Sequence, residues 1–247
     1  MPRPLPALSA ALALALVGCQ ATASDDAPES ERPIKVQHAL GETKVPGRAE
    51  RPVALYPSEL DDALAFGSVP IAAAGALPRY LGERTAGITQ VGPIARPDVA
   101  EIEALDPDLV LGTKQSHKRL YKRLKEIAPT VVLDQKVDWK PNLRQDGETL
   151  GHPDFAEKLL TDYDRQAARV KRLIRRRGEP TLPSEVRPAL RRPFVASILD
   201  DVGVDHPKPR SDLLRDARPG RYDAWTLGIG YIAATRILAD LRRFSRP

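Results

Sequence analysis

The apolar residues of this chain fall into a few runs with distinct periods, and those runs set its plan. Ala7 to Val17 is an unbroken apolar stretch behind the single charge of Arg3. It is shorter than the roughly 18 to 20 residues that cross a bilayer, and its length and flanks are those of a signal-peptide core. Ala21 to Arg32 has little to bury and reads as a flexible tether. From Arg51 short apolar runs alternate with helical periods. Pro52 to Tyr56, Pro70 to Ala74, Asp108 to Gly112 and Thr130 to Leu133 read as buried strands. Between them lie helices over Glu59 to Phe66, capped by Ser58 and closed by Gly67, over Val99 to Leu105 behind Pro97, and over Ser116 to Ile127. Strands separated by helices predict a parallel α/β sheet, whose ligand crevice lies at the strands' carboxyl ends. That rim includes Tyr56, Arg79, Tyr80, Lys114, His117 and Trp139.

A longer helical period follows. Pro141 to Leu150 reads as one helix, Gly151-His152-Pro153 interrupts it, and Asp154 opens and caps a second helix to about Arg177. Phe155, Leu159, Tyr163, Val170 and Ile174 recur along it. At 1.5 Å per residue it is a rod of about 36 Å, long enough to connect two lobes. Its basic end, with Arg175-Arg176-Arg177, suits the negative end of a helix dipole and reads as solvated.

Composition refines the picture without redirecting it. Losing residues 1–18 removes one of the 38 basic residues, Arg3, and none of the 33 acidic ones, so the exported part carries about +4. That mild excess suits anionic ligands or an anionic membrane surface, and with no accompanying motif it excludes nucleic acid as a partner. Cys19 is the only cysteine, so no internal disulfide forms. Leu16-Val17-Gly18-Cys19 resembles the lipobox of bacterial lipoproteins, which implies cleavage before Cys19, acylation of its thiol, and an extracytoplasmic, membrane-anchored protein.

Pro107 to Leu111, Ile127 to Val132, the stretch Trp139 to Gly151, Phe194 to Gly203 and Trp225 to Gly228 follow in a characteristic order. In that order they resemble the substrate-binding lipoproteins of ABC importers for iron(III) siderophores and cobalamin, a helical-backbone family of periplasmic binding proteins. The resemblance runs from about Ile34 to Phe244 and implies two Rossmann-like α/β lobes joined by a long helix, with ligand between them. The implied parts are a signal peptide over 1–18, tether and lead-in over 19–50, an N-terminal lobe over 51–140, a connecting helix over 141–177 and a C-terminal lobe over 178–247. That last part has about 70 residues, in which a four- or five-strand lobe does not fit, so the second lobe is expected to be incomplete.

The implied function is an extracytoplasmic receptor that delivers a ferric siderophore to an ABC permease and its ATPase. The alternative is a shortened lipoprotein of the same ancestry acting as an interaction protein or without tight ligand binding. A siderophore fills the iron sphere itself, so the protein needs no metal ligands and no cofactor. It needs cations and aromatic rings facing an anionic shell. The ligand-binding candidates are Arg79, Tyr80, Lys114, His117 and Trp139 on the first lobe, and Arg187, Arg192 and Trp225 on the second. Glu101 and Glu103 are the permease-docking candidates, standing beside Ala100 where the family commonly has a glutamate. Other chemistry is not indicated. His38, His117, His152 and His206 lack metal spacing, and no nucleophile or acid–base constellation marks an enzyme. Gly228-Ile229-Gly230-Tyr231-Ile232-Ala233 matches a dinucleotide pattern, but outside any strand-to-helix turn.

Overall fold

The structure is a computed structural model and describes residues 32–136, 138–208, 224 and 228–245. Cys19 and Trp225 lie outside the described residues.

The centre is a parallel sheet of five strands: β3 (Pro52–Ala54), β4 (Ala72–Ala73), β5 (Thr89–Gln90), β6 (Leu109–Thr113) and β7 (Thr130–Leu133). Their order is β5-β4-β3-β6-β7, with Val53 opposite both Ala72 and Val110. β3, β6 and β7 are buried throughout, which is why they read as continuous apolar runs rather than alternating ones. Successive residues of β6 feed different cores. Val110 packs with Val53, Leu55, Val99, Ile102 and Leu124 on one face, while Leu109 and Leu111 join the larger cluster on the other.

An antiparallel hairpin precedes the sheet, β1 (Ile34–His38) and β2 (Gly41–Val45). The sequence reading left this segment within the lead-in. Only Val36 and Val45 are buried apolar anchors in it, too few to stand out as a run. The hairpin lies against β7, where Ala39 N–H donates to Val132 O at 2.9 Å and Thr43 Oγ1 to Thr130 O at 3.0 Å.

The helices hold several corrections. α1 (Pro57–Ala65) starts earlier than expected because Pro57 at its first position presets the helical φ. Ser58 therefore sits inside the first turn and donates to Glu59 Oε2 instead of capping. α2 (Val99–Ala104) is capped by Asp98, which accepts the Ala100 and Glu101 N–H groups. The single helix expected over Ser116 to Ile127 is two, α3 (Lys114–His117) and α4 (Tyr121–Ile127). The break follows His117, whose ring is held inward on both nitrogens.

α5 (Trp139–Thr149) begins before Pro141 because Asp138 accepts the Trp139 N–H at 2.8 Å. α6 (Pro153–Arg177) is 25 residues long and has no side-chain cap; Pro153 takes the first position and moves Asp154 into the first turn. Its buried stripe is Ala156, Leu160, Tyr163, Ala167, Val170 and Ile174, at spacings of three and four. Phe155, expected on that stripe, is 40 % exposed.

Beyond α6 come a 3-10 stretch (Ser184–Arg191), α7 (Pro193–Val202) and α8 (Tyr231–Phe244). Among the described residues no strand follows α6. The buried faces of α5, α6, α7 and α8 share one cluster with Leu109, Leu111 and Val131, so α6 is packed along its length. Among the described residues no helix is long and apolar enough to cross a membrane.

Candidate functional site

Chain direction over the sheet reverses between β3 and β6. The connection after β3 runs through α1 to β4 on one side, and the one after β6 runs through α3 and α4 to β7 on the other. The loops leaving these two strands diverge at their carboxyl ends, the place where sheets of this topology hold ligands. Tyr56 leaves β3 there, Lys114 leaves β6, and Asp134 and Gln135 leave β7. A short 3-10 segment after β4 (Arg79–Thr85) adds Arg79, which is exposed, and Tyr80, which is half-buried.

Lys114 keeps 41 % of its side chain exposed, and its Nζ lies 3.6 Å from Asp134 Oδ2. Asp134 is held below its ordinary range by the Lys136 N–H and the Gln115 amide, with Lys114 adding its charge. The pair places a mobile cation on the rim with its counter-charge behind it. Opposite, Tyr56 is buried, and burial, then the nearby Glu59, push its phenol up to about 12.

Tyr80 and Arg192, assigned to different lobes by sequence, meet in one cluster. Arg192 is 4 % exposed and donates from Nη2 to Gly228 O at 3.1 Å. Burial pulls its guanidinium down to about 10 against the pull of Tyr56 and Tyr80. Tyr80 donates from its hydroxyl to Asp61 Oδ2 at 2.7 Å. Arg192 is thus a buried cation within electrostatic reach of both tyrosines.

Two further candidates are buried. His117 is fully buried: its Nδ1 accepts the Thr113 N–H at 2.9 Å, so Nε2 carries the proton given to Ile94 O at 2.9 Å. Burial lowers its pKa. Trp139 is 4 % exposed and meets Tyr163 and Phe194 edge-on, with ring centroids 4.8 and 6.0 Å away. Both side chains support the rim from below. Arg187 is exposed on the 3-10 stretch before α7, and Glu101 and Glu103 are exposed on α2.

Sequence reasoning missed a set of buried acids under the rim. Glu59, Asp61 and Asp62 of α1 and Asp146 of α5 are at most 1 % exposed. Asp62 Oδ1 accepts the Tyr231 N–H at 2.8 Å, and Asp61 accepts those of Ile232 at 2.6 Å and Ala233 at 3.0 Å. The glycine-rich segment at 228–233 is thus the start of α8, and the anion at its amino end is a pair of carboxylates. The one advance signal was the run Glu59-Leu60-Asp61-Asp62, which puts acids on the inward face of an apolar helix. Among the described residues no group of three or more His, Cys, Asp or Glu is arranged to hold a metal ion.

A doubly wound sheet with its crevice at the switch point is the architecture of an α/β ligand-binding protein. The sequence profile of the family described as "Periplasmic binding protein" matches residues 53–201, and the chain belongs to that family. It is 26 % identical over 221 residues to the probable siderophore-binding lipoprotein YfiY of Bacillus subtilis, covering 84 % of this chain and 68 % of that protein. It is 34 % identical over 167 residues to the ferric-anguibactin-binding protein FatB of Vibrio anguillarum, covering 62 % of this chain and 51 % of that one. The fold resembles that of Staphylococcus aureus SirA in complex with staphyloferrin B, with a TM-score of 0.70 at 20 % identity over 85 % of this chain and 97 % of that chain. The petrobactin-binding protein YclQ of Bacillus subtilis gives 0.63 at 18 % identity over 87 % and 99 %. The chain spans between about half and two thirds of the length of such curated relatives.

Proposed function

We propose that this protein is a solute receptor on the outer face of the cell membrane, anchored through a lipid on Cys19, that binds a ferric siderophore for an ABC importer. The observation that supports this reading is the β3/β6 switch point, with the part-exposed Lys114 following β6 and the exposed Arg79 on the segment after β4. Cations and phenols suit an anionic chelate whose iron is already saturated by its own oxygens. The names of the relatives agree, since YfiY and FatB are described as siderophore-binding or ferric-siderophore-binding. Arg187 and Trp225 are the proposed ligand contacts from the second lobe. Glu101 and Glu103, exposed on α2, would meet the permease.

The test is titration of the purified chain from Cys19 onward with ferric hydroxamate, catecholate and carboxylate siderophores, following tryptophan emission. We expect saturable quenching by at least one class. Lys114→Ala should weaken it about ten-fold, equivalent to about 1.4 kcal/mol. No saturable response to any of the three classes would overturn the receptor reading. For the anchor, Cys19→Ser protein should move from the membrane fraction to the soluble extracytoplasmic one.

A further inference from the structure

Glu59, Asp61, Asp62 and Asp146 meet in one enclosed junction between α1, α5 and the amino end of α8. Their surroundings are unequal. Asp61 takes the N–H groups of Ile232 and Ala233 and the Tyr80 hydroxyl, at the positive end of a 14-residue helix. A negative charge is most at home there. By contrast Glu59 Oε1, Asp62 Oδ2 and both oxygens of Asp146 are buried with no donor group to bond them, and the Asp62 and Asp146 carboxyls lie within hydrogen-bonding reach of each other, which one proton between them would satisfy. An ionised carboxylate with orphan oxygens in a dry site is strongly disfavoured, and a proton removes the difficulty.

We propose that this junction is a proton-held latch: protons on Glu59, Asp62 and Asp146 keep the amino end of α8 seated on α1, and their loss releases it. The distances make the coupling direct, because Asp62 carries both an orphan oxygen and the bond to the Tyr231 N–H. Gly230 lets the helix come that close, since a Cβ there would lie 2.6 Å from Asp62 Oδ1 and 2.8 Å from Asp61 Oδ1.

The other titratable and charged groups at the junction do not take over the role. Tyr80 and Arg84 come from the 3-10 segment after β4, and the Arg84 charge reaches Asp61. Tyr56 faces Glu59, with Arg192 behind it at the start of α7. Tyr231 of α8 turns its hydroxyl to Asp162 of α6. The phenols of Tyr56 and Tyr231 are both pushed up to about 12 and stay neutral, and Arg192, pulled down to about 10, stays charged across the neutral range. Burial raises Glu59 and Asp61 to about 7, and burial with neighbouring carboxylates puts Asp62 and Asp146 well above the ordinary carboxylate range. The protons of Glu59 and Asp61 therefore leave near neutrality. Below that point the junction is close to neutral; above it, like charges accumulate and repel.

The latch does not depend on the identity of the cargo. It is tested on the full chain by amide hydrogen exchange at about pH 5.5 and about pH 8, with rates expressed as protection factors to remove base catalysis. The amides of Tyr231, Ile232 and Ala233 should lose about ten-fold in protection at the higher pH, while those of Val110 and Leu111 in β6 hold theirs. Asp146→Asn cannot ionise and should keep α8 protected at both values; Glu59→Gln serves if Asp146→Asn does not fold. Equal α8 protection at the two pH values, a parallel loss in β6, or a wild-type loss in both variants would overturn the latch.

Discussion

A methyl group on Gly230 would enter the space held by the Asp61 and Asp62 carboxylates, and the residue's φ of 122° is one that L side chains rarely adopt. Gly230→Ala should therefore cost backbone strain and part of the α8 cap together, about 2–4 kcal/mol. Gly41 provides the control. Its φ is 130°, but a Cβ there would meet nothing within 4 Å, so Gly41→Ala should cost only the strain, about 1–2 kcal/mol. Urea unfolding of the two variants separates the effects; equal losses would mean that the carboxylate approach contributes nothing. The same scale explains why residue types alone do not place His117 and Trp139. Histidine, tryptophan, lysine and arginine at a strand's carboxyl end are all plausible ligand contacts by chemistry. Which of them faces the crevice depends on partners distant in sequence. Ile94 O claims the His117 ring, and Tyr163 and Phe194 enclose Trp139.

Legibility of the elements followed how much of each element's surroundings lay nearby in sequence. Thr130–Leu133 was readable end to end, because a strand buried on both faces must be apolar at every position. β3, β4 and β6 were found for the same reason, with ends off by one or two residues. β5 escaped because it is two residues long and polar, Thr89–Gln90, and exists by its pairing with Ala72 and Ala73. α5 and α6 were predicted with the right break, since Gly151 and Pro153 punctuate it locally. The acid junction was not legible. Its members lie in α1 and α5, and the donors that accommodate them lie 169 to 172 residues away at the start of α8. A single chain shows three acids on an amphipathic helix but not the helix end that receives them.

Because the four acids are enclosed by the whole assembly, their ionisation should be visible in global stability. A carboxyl raised by folding keeps its proton in the native state when the unfolded chain has lost it. Stability then falls as pH rises from the unfolded value to the folded one. For Glu59 that window runs from 4.5 to about 7, and for Asp61 from 3.8 to about 7; Asp62 and Asp146, also raised by burial, act in the same direction. His38, His117 and His152 act oppositely. Burial depresses them, so the unfolded chain takes up protons below 6.5 that the native state refuses, and stability falls as pH drops. The two trends overlap until about pH 7.5, since the unfolded histidines are still half protonated at 6.5 and offset part of the carboxyl effect. His206, which burial lowers but the Pro207 carbonyl and Asp200 together raise, shares the direction of the carboxyls there. Its imidazole lies apart from the junction, so Glu59→Gln or Asp146→Asn should flatten the carboxyl share and leave the His206 share. With about 1.4 kcal/mol for each proton per pH unit, the wild-type unfolding free energy should drop by about 1–3 kcal/mol between about pH 6.5 and about pH 8. Urea titrations at the two pH values measure it. A wild-type drop no larger than that of Glu59→Gln and Asp146→Asn, in which the histidine share is the same, would place the four carboxyls in ordinary ionisation, and the buried junction would then have to be wetter than its geometry indicates.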